Sequence, residues 1–204
     1  MQKATAIIFD LGGVILNIDI SKTKEAFHRI GFPEIDKLFG LGHADSFFKD
    51  HENGRVSDEE FIRKIVEKLG GNITSQQVVD AWNALLQDFP ESRIRYIKEL
   101  KKRYRLFLFS NTNGIHQAAF SKMYRSEFGG ESMDDLFEKA YYSHTAGFRK
   151  PDAEGFMHIL KENNLVPGET IFIDDALVNV EAANALGIRG MHLKPGQDIE
   201  QLGL

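Results

Sequence analysis

The sequence opens with a short apolar run that leads into a single carboxylate. Residues 4–9 read Ala-Thr-Ala-Ile-Ile-Phe, and Asp10 follows them directly, ahead of Leu11, Gly12 and Gly13. A short run rich in isoleucine is typical of a strand buried on both faces, as in parallel sheets, and α/β folds bind ligands at the carboxyl ends of such strands. The run therefore predicts an α/β fold with Asp10 at the ligand-binding edge. Taken alone, however, a strand followed by Asp and Gly is more often a capped turn.

Polar residues follow two further apolar runs in the same way. The runs at 105–109 and 170–173 lead into Ser110-Asn111-Thr112 and Asp174-Asp175. Because alternating strands and helices build parallel sheets, the sequence predicts a doubly wound, Rossmann-like parallel sheet with the polar motifs at one edge. The predicted strands share this short apolar character: 4–9, 105–109, 140–142, 170–173 and 188–193.

A long stretch with little strand signal separates the first two strands. Residues 17–90 carry apolar residues mainly at helical spacing, and two capping-box sequences, 57–60 and 74–77, mark helix starts. The stretch predicts an inserted cap of four or more helices at 17–90. The α/β core is then formed by 1–16 and 91–204.

Proline and glycine positions set the other predicted boundaries. Pro33 and Pro151 each suit the first turn of a helix, so helices are predicted to begin there. Residues 143–150 are expected to form a loop. The polar segment 120–137 predicts a helix followed by a surface excursion around Gly129 and Gly130.

The composition excludes several classes of function. The 204 residues are 42% hydrophobic, as expected of a globular protein with a core. A net charge of −5 leaves no basic field for a nucleic-acid backbone, so no nucleic-acid partner is expected. The absence of Cys excludes disulfides and zinc–thiolate sites and fits a reducing compartment. Without a signal-peptide pattern or a membrane-spanning apolar run, the prediction is a cytoplasmic protein that does not bind membranes, and its oligomeric state stays open.

Each polar motif, taken alone, also fits a structural role. Ser110-Asn111-Thr112 is ordinary turn chemistry, and Lys150 ahead of Pro151 is usually a surface charge. Asp174 and Asp175 are harder to explain, because adjacent carboxylates repel unless a cation lies nearby, although Asp175 could be a helix cap. The motifs in this order along one chain are much more specific than any one of them.

In this order the motifs resemble those of the haloacid dehalogenase superfamily of hydrolases, and the insertion resembles that family's C1 helical cap. The resemblance extends over essentially the whole chain. Within the family, the sequence looks similar to the α-D-glucose-1-phosphate phosphatase-like group at five segments: 9–15, 51–57, 110–113, 149–151 and 172–175. The resemblance implies a Mg²⁺-dependent phosphatase that acts on a small phosphorylated metabolite.

The family pattern implies a nucleophile and a metal site. Asp10 would attack phosphorus and form an aspartyl-phosphate that water then hydrolyses. The Asp10 carboxylate, the Gly12 backbone carbonyl and Asp174 would hold Mg²⁺, which prefers oxygen ligands. Asp10 is thus expected to be both a catalytic residue and a metal ligand.

The remaining motifs receive supporting roles from the same resemblance. Ser110 and the Asn111 backbone amide would bind phosphoryl oxygens, and Lys150 would balance charge on the nucleophile and the phosphoryl group. Asp175 would orient Lys150 or a metal-bound water. These residues complete the predicted site.

Gly12 is a departure from the family pattern. Phosphatases of the family typically carry a second Asp there as general acid and base, and such catalysis is typically worth about 10²- to 10⁴-fold. Its loss should be felt most with poor leaving groups. We therefore predict a preference for activated phosphates such as sugar 1-phosphates, whose anomeric hydroxyl is more acidic than an ordinary alcohol.

Two other functions remain open from the sequence. A 2-haloacid dehalogenase shares the Asp nucleophile and also lacks the second Asp, but it needs no metal, which leaves Asp174 and Asp175 unexplained. A slow or non-catalytic phosphate-binding module would also explain Gly12. For His116, His144, His158 and His192, no metal or catalytic role is expected. Trp82 is expected to be core. The cap residues considered for substrate contact are His28, His43, His51, Arg55, Trp82 and Asn83.

Overall fold

The computed structural model describes residues 3–32, 35 and 46–204 of the chain. Within them a five-stranded sheet has the strand order β3-β2-β1-β4-β5, and every neighbouring pair is parallel. The strands are β1 (Ala6–Phe9), β2 (Arg105–Ser110), β3 (Lys139–Tyr142), β4 (Thr170–Asp174) and β5 (Arg189–His192). The predicted Rossmann-like parallel sheet is confirmed.

The helices described fall into two groups along the chain. Four lie between β1 and residue 90: α1 (Ile20–Arg29), α2 (Ser46–Glu52), α3 (Asp58–Lys68) and α4 (Ser75–Asn83). The others alternate with the strands: α5 (Glu91–Leu100), α6 (Gly114–Glu127), α7 (Ser143–Ala146), α8 (Ala153–Glu162) and α9 (Leu177–Ala185).

Successive side chains of the strands belong alternately to two hydrophobic clusters, one on each face of the sheet. Ile7 and Phe9 pack with the buried side of α5, whereas Ala6 and Ile8 pack with α8 and α9. This follows from the period of two along a strand, which sends neighbouring side chains to opposite faces. The central strands β1, β2 and β4 are therefore largely buried on both faces, as their apolar runs predicted, whereas β5 at the edge is only partly buried.

The helices between β1 and residue 90 have a cluster of their own. Its buried residues include Phe27, Phe61, Val78 and Trp82, and Ile115 of α6 also belongs to it. The predicted boundaries of the cap and core stay a prediction. No helix in the described ranges is long and apolar enough to cross a membrane.

Several predicted local boundaries differ from the structure. The Thr74–Gln77 capping box is present, but at α3 only Ser57 caps, by accepting from the Glu60 N–H, while the Glu60 carboxylate pairs with Lys64. The helix predicted from Pro33 lies mostly outside the described residues.

The segments that follow β2 and β3 also differ from the predictions. Helix α6 begins at Gly114 because Asn113 caps it, rather than near residue 120. The predicted loop 143–150 contains α7, and α8 begins at Ala153, after an Asp152 N-cap, rather than at Pro151. Asn113 sets the start of α6 because its side chain accepts from the His116 N–H, whereas α8 starts later because the backbone at Asp152 is still extended.

The strand order places a crevice at the centre of the sheet. The chain runs outward from β1 through β2 and β3 on one side and through β4 and β5 on the other. Ligands in open α/β sheets bind where the order reverses in this way, beyond the carboxyl ends of the strands. Asp10 directly follows β1, and Asp174 ends β4.

Candidate active site

One buried ammonium group joins two of the predicted site carboxylates. The Lys150 Nζ lies 2.7 Å from Asp10 Oδ1 and 2.7 Å from Asp174 Oδ2, and the lysine side chain is only 1% exposed. Burial alone would disfavour the charged amine, but the two carboxylates outweigh it and raise the pKa of Lys150. The structure thus brings three of the predicted residues together at the edge of the sheet.

The main chain of Lys150 is held by the side chain of Asn111. The Asn111 Nδ2 donates to the Lys150 carbonyl oxygen at 2.9 Å, and the Lys150 N–H donates to Asn111 Oδ1, also at 2.9 Å. The Lys150–Pro151 peptide bond is cis. The sequence suggested only the backbone amide of Asn111, and no pattern in it signals this side-chain contact across 39 residues.

Asp174 is fully buried, and both of its carboxylate oxygens accept hydrogen bonds from neighbouring groups. Its Oδ1 accepts from the Ala176 N–H at 2.8 Å, and Asn179 Nδ2 lies 3.0 and 3.1 Å from its two oxygens. Asn179 was missed from the sequence. The available signal was an Asn on the buried face of the helix that follows the strand.

The electrostatic environment of Asp10 is strongly perturbed. Burial, opposed by Lys150 and reinforced by the charge of Asp174, raises the pKa of Asp10 to about 7. The side chain is 13% exposed, so it remains open to a ligand. An additional cation near Asp10 would favour its charged, nucleophilic form.

Three carboxylates converge at this edge of the sheet. Asp10, Asp174 and Asp175 each offer an oxygen, and these oxygens lie within 4.8 Å of one another. Asp175 is the most exposed, and its carboxylate lies so close to Gly13 that an added β-carbon there would be 2.3 Å from Oδ2. The ion pairs of Lys150 are with Asp10 and Asp174. Burial and the neighbouring Asp174 charge raise the pKa of Asp175.

A small cavity of about 80 Å³ is lined by Gly12, Ser110 and Asn111, among other residues. Ser110 is buried at the end of β2. A β-carbon at Gly12 would lie 3.2 Å from Ile18 Cδ1. The position from which a second carboxylate would extend therefore faces an apolar side chain.

The helical region contacts the strand-end loops through residues next to this site. Arg149 Nη2 lies 2.9 Å from Glu52 Oε2, and the Ser143 hydroxyl lies 2.6 Å from the Glu52 carbonyl oxygen. Ser143 Oγ also accepts from the Thr112 N–H at 2.9 Å. Glu52 was not singled out from the sequence, although it lies in the segment 51–57 that carried the resemblance.

Three of the residues suggested for substrate contact lie where the helices before residue 90 pack near α6. Trp82 is 4% exposed, as predicted for a core residue. His51 Nε2 lies 2.6 Å from Asp58 Oδ1. Asn83 Oδ1 lies 2.9 Å from the Nδ1 of His116, a histidine that also lines the cavity at Gly12. Burial and the charge of His51 lower the pKa of His116 to about 3, so this ring is neutral.

The other suggested cap contacts are at the surface or outside the described ranges. Arg55 is exposed and lies 3.4 Å from Asp50. His28 is exposed on α1. His43 lies outside the described residues. None of these three has a described place at the site.

A protein-family model for haloacid dehalogenase-like hydrolases matches residues 4–187. A D-ribitol-5-phosphate phosphatase of Bacteroides thetaiotaomicron is 32% identical over 196 residues, covering 96% of this chain and 94% of that protein. A sesquiterpene phosphatase of Aspergillus oryzae is 49% identical over 194 residues, covering 92% and 89% of the two chains.

Solved structures show the same relationship. A haloacid dehalogenase family enzyme from Bacteroides thetaiotaomicron, crystallised with magnesium and inorganic phosphate, has a TM-score of 0.91 at 33% identity, covering 98% of this chain and 100% of that one. An L-2-haloacid dehalogenase from Xanthobacter autotrophicus, at 16% identity and a TM-score of 0.61, shares the fold alone. The narrower resemblance to the α-D-glucose-1-phosphate phosphatase-like group stays a prediction. The chain belongs to the haloacid dehalogenase-like hydrolases, and it is a phosphatase of that family.

Proposed function

We propose that this phosphatase is Mg²⁺-dependent and removes phosphate from small phosphorylated molecules through an aspartyl-phosphate on Asp10. The observation that carries the proposal is the buried arrangement of Asp10, Lys150 and Asp174, in which one ammonium bridges two carboxylates at 2.7 Å each. Such an arrangement orients a carboxylate and leaves it open to a ligand on its exposed side. Residues 17–90 would act as the cap over it.

The donor set fits Mg²⁺. Three carboxylates face the single ammonium of Lys150, which leaves two negative charges that a divalent cation would neutralise. Asp174 Oδ1 accepts from Ala176 and Asn179, and its Oδ2 accepts from Asn179 and Lys150, so the carboxylate is held in a fixed position at the edge of the sheet. Asp10, Asp174 and the Gly12 carbonyl would hold the ion, with Asp175 on a bound water. When bound, Mg²⁺ supplies positive charge that stabilises phosphoryl oxygens.

The protein residues would carry the two chemical steps. An Asp10 oxygen attacks phosphorus, the bond from phosphorus to the ester oxygen breaks, and the alcohol leaves as its oxygen gains a proton from water. Water then attacks phosphorus, the bond to Asp10 breaks, and inorganic phosphate is released. Ser110 and the Asn111 amide would hold the phosphoryl oxygens, and Lys150 would keep Asp10 ionised and in line.

The test is a screen of phosphorylated metabolites and p-nitrophenyl phosphate with and without Mg²⁺. Asp10→Asn keeps the size of the side chain and serves as the blank. We expect Mg²⁺-dependent release of phosphate by the wild type and none by the variant. Phosphate release by Asp10→Asn at the wild-type rate would contradict the proposal.

The two alternatives give different results in the same screen. A dehalogenase would release halide from 2-chloropropionate in excess EDTA, because that displacement needs no metal. A binding module would hold a phosphate analogue such as vanadate without turnover of any ester. The predicted preference for sugar 1-phosphates stays a prediction, since it depends only on the acidity of the leaving group.

A further inference from the structure

The cavity beside Gly12 has walls of two different kinds. Its polar end carries Ser110 and Asn111, the residues assigned above to the phosphoryl group. We call its other side the apolar wall, which consists of Leu16, Ile18, Leu85, Leu86 and Phe120. A phosphate ester held by Ser110 and Asn111 would have its alcohol portion beside the same cavity that this wall lines.

The apolar wall is fixed by pairing between two chain segments. Ile18 and Leu86 form an antiparallel bridge, and the Asp19 N–H donates to the Leu85 carbonyl oxygen at 2.8 Å. The side chains of Ile18, Leu85 and Leu86 are only partly buried, so part of each surface faces open space. The wall is thus a preformed surface that also faces Gly12, where the family's second carboxylate is missing.

Few polar groups are available near this wall. Beyond the phosphoryl end, the described lining offers Thr112 and His116. His116 already uses Nδ1 toward Asn83 Oδ1 at 2.9 Å, and its ring stacks on Trp82 with centroids 5.1 Å apart. Because the amide oxygen accepts, Nδ1 carries the proton and is already used. A polyol has more hydroxyls than this lining has polar groups, so several of them would lose water without gaining partners, and unpaired buried hydroxyls are costly.

We propose that the preferred substrates are phosphate monoesters of apolar, chain-like alcohols, with alkyl or alkenyl carbons next to the ester oxygen. The inference rests on the phosphatase function proposed above and specifies its substrate class. It differs from the preference for sugar 1-phosphates, which followed from leaving-group acidity alone, because it is based on the surface that binds the alcohol portion. Water and the ester give the free alcohol and inorganic phosphate, as in the two steps already described. The apolar wall binds the first carbons of the alcohol.

The test compares two esters of five-carbon primary alcohols. n-Pentyl phosphate and D-ribitol 5-phosphate differ in hydroxyl groups rather than in chain length, and p-nitrophenyl phosphate serves as a reference for phosphatase chemistry. Because one mismatched group in a pocket is typically worth about 10- to 200-fold, we expect kcat/KM for the pentyl ester to exceed that for the ribitol ester by at least about tenfold.

The outcomes separate the two proposals. If the reference ester is hydrolysed and the ribitol ester matches or exceeds the pentyl ester, the substrate-class inference is wrong and the phosphatase function stands. If no ester is hydrolysed with Mg²⁺, the function is wrong and the inference fails with it.

Variants test whether the apolar wall causes the preference. Leu86→Gln and, separately, Leu85→Gln should reduce the pentyl-to-ribitol ratio by about tenfold. Met157→Gln is the control, because Met157 is 52% exposed on α8 and does not line the cavity. A folded wall variant that keeps the wild-type ratio would overturn the assignment.

Discussion

Replacing Lys150 by Met should destabilise the protein strongly, because it leaves two buried carboxylates without their shared cation. The substitution keeps most of the aliphatic volume and removes the ammonium that lies 2.7 Å from both Asp10 and Asp174. Asp174 is fully buried, so the loss is not made good by water. Breaking a buried ion pair from one side typically costs about 3–5 kcal/mol.

The cost should depend on pH in a defined direction. Without Lys150 the pKa of Asp10, already raised to about 7, rises further, and the folded variant takes up a proton that the unfolded chain does not hold. Stability of the variant relative to the wild type should therefore fall as pH rises, so that the full cost appears near about pH 8 and a smaller one near about pH 6. Added Mg²⁺ should recover part of the loss, since it would replace the missing positive charge.

A matched control is available at the surface. Lys139 pairs with Glu162 at 2.8 Å, but the two side chains are 47% and 39% exposed. Lys139→Met should cost about 0–1 kcal/mol, as is usual for exposed pairs. Urea denaturation in EDTA measures both variants. Equal stability of the two, with wild-type m-values, would refute the reasoning about the buried pair.

Three further predictions concern other residues of the site and its surroundings. Gly12→Asp should raise kcat on poor leaving groups by up to about 10²-fold, because the new carboxyl group can act as general acid and base. The new β-carbon would lie 3.2 Å from an isoleucine methyl, which can shift to make room. An unchanged kcat in a folded, Mg²⁺-binding variant would contradict this prediction. Glu52→Gln weakens the contact with Arg149, the residue before Lys150, and should lower kcat by about tenfold with little change in KM. Asp50→Asn on the same helix is the control and should change neither constant. Equal effects of the two substitutions would show that the Glu52–Arg149 contact does not position the site. The pKa of His116 is about 3 in the folded protein and 6.5 in the unfolded chain, so between these pH values only the unfolded chain binds the proton. The free energy of unfolding should therefore decrease as pH falls below about 6.5, with a slope approaching about 1.4 kcal/mol per pH unit. A His116→Gln variant with the same slope in denaturant titrations would contradict this prediction.

The part of the site that could be predicted is the part that follows from strand direction. Asp10 and Asp174 follow apolar runs, and parallel strands put their carboxyl ends at one edge, so their approach could be expected before any coordinates. Lys150 was predictable only through the resemblance, because a lysine before a proline has no periodic pattern of its own.

The part that could not be predicted depends on contacts between distant polar residues. Asn111 holds Lys150 across 39 residues, and Glu52 reaches Arg149 across 97 residues. Such pairs leave no mark in local spacing, because any exposed loop could carry the same residue types. The apolar neighbour of Gly12, Ile18, is also set by the path of the chain after β1 rather than by its pattern.

The central claim is that Asp10 itself receives the phosphoryl group. The most direct measurement is acid quenching of the enzyme during turnover with Mg²⁺, followed by borohydride reduction, which converts an acyl phosphate to homoserine, and mass spectrometry of the peptide that contains residue 10. We predict homoserine at position 10 in the wild type and an unchanged residue in Asp10→Asn. An active enzyme in which Asp10 stays unmodified throughout turnover, while the reduced residue is found at another position, would contradict the claim.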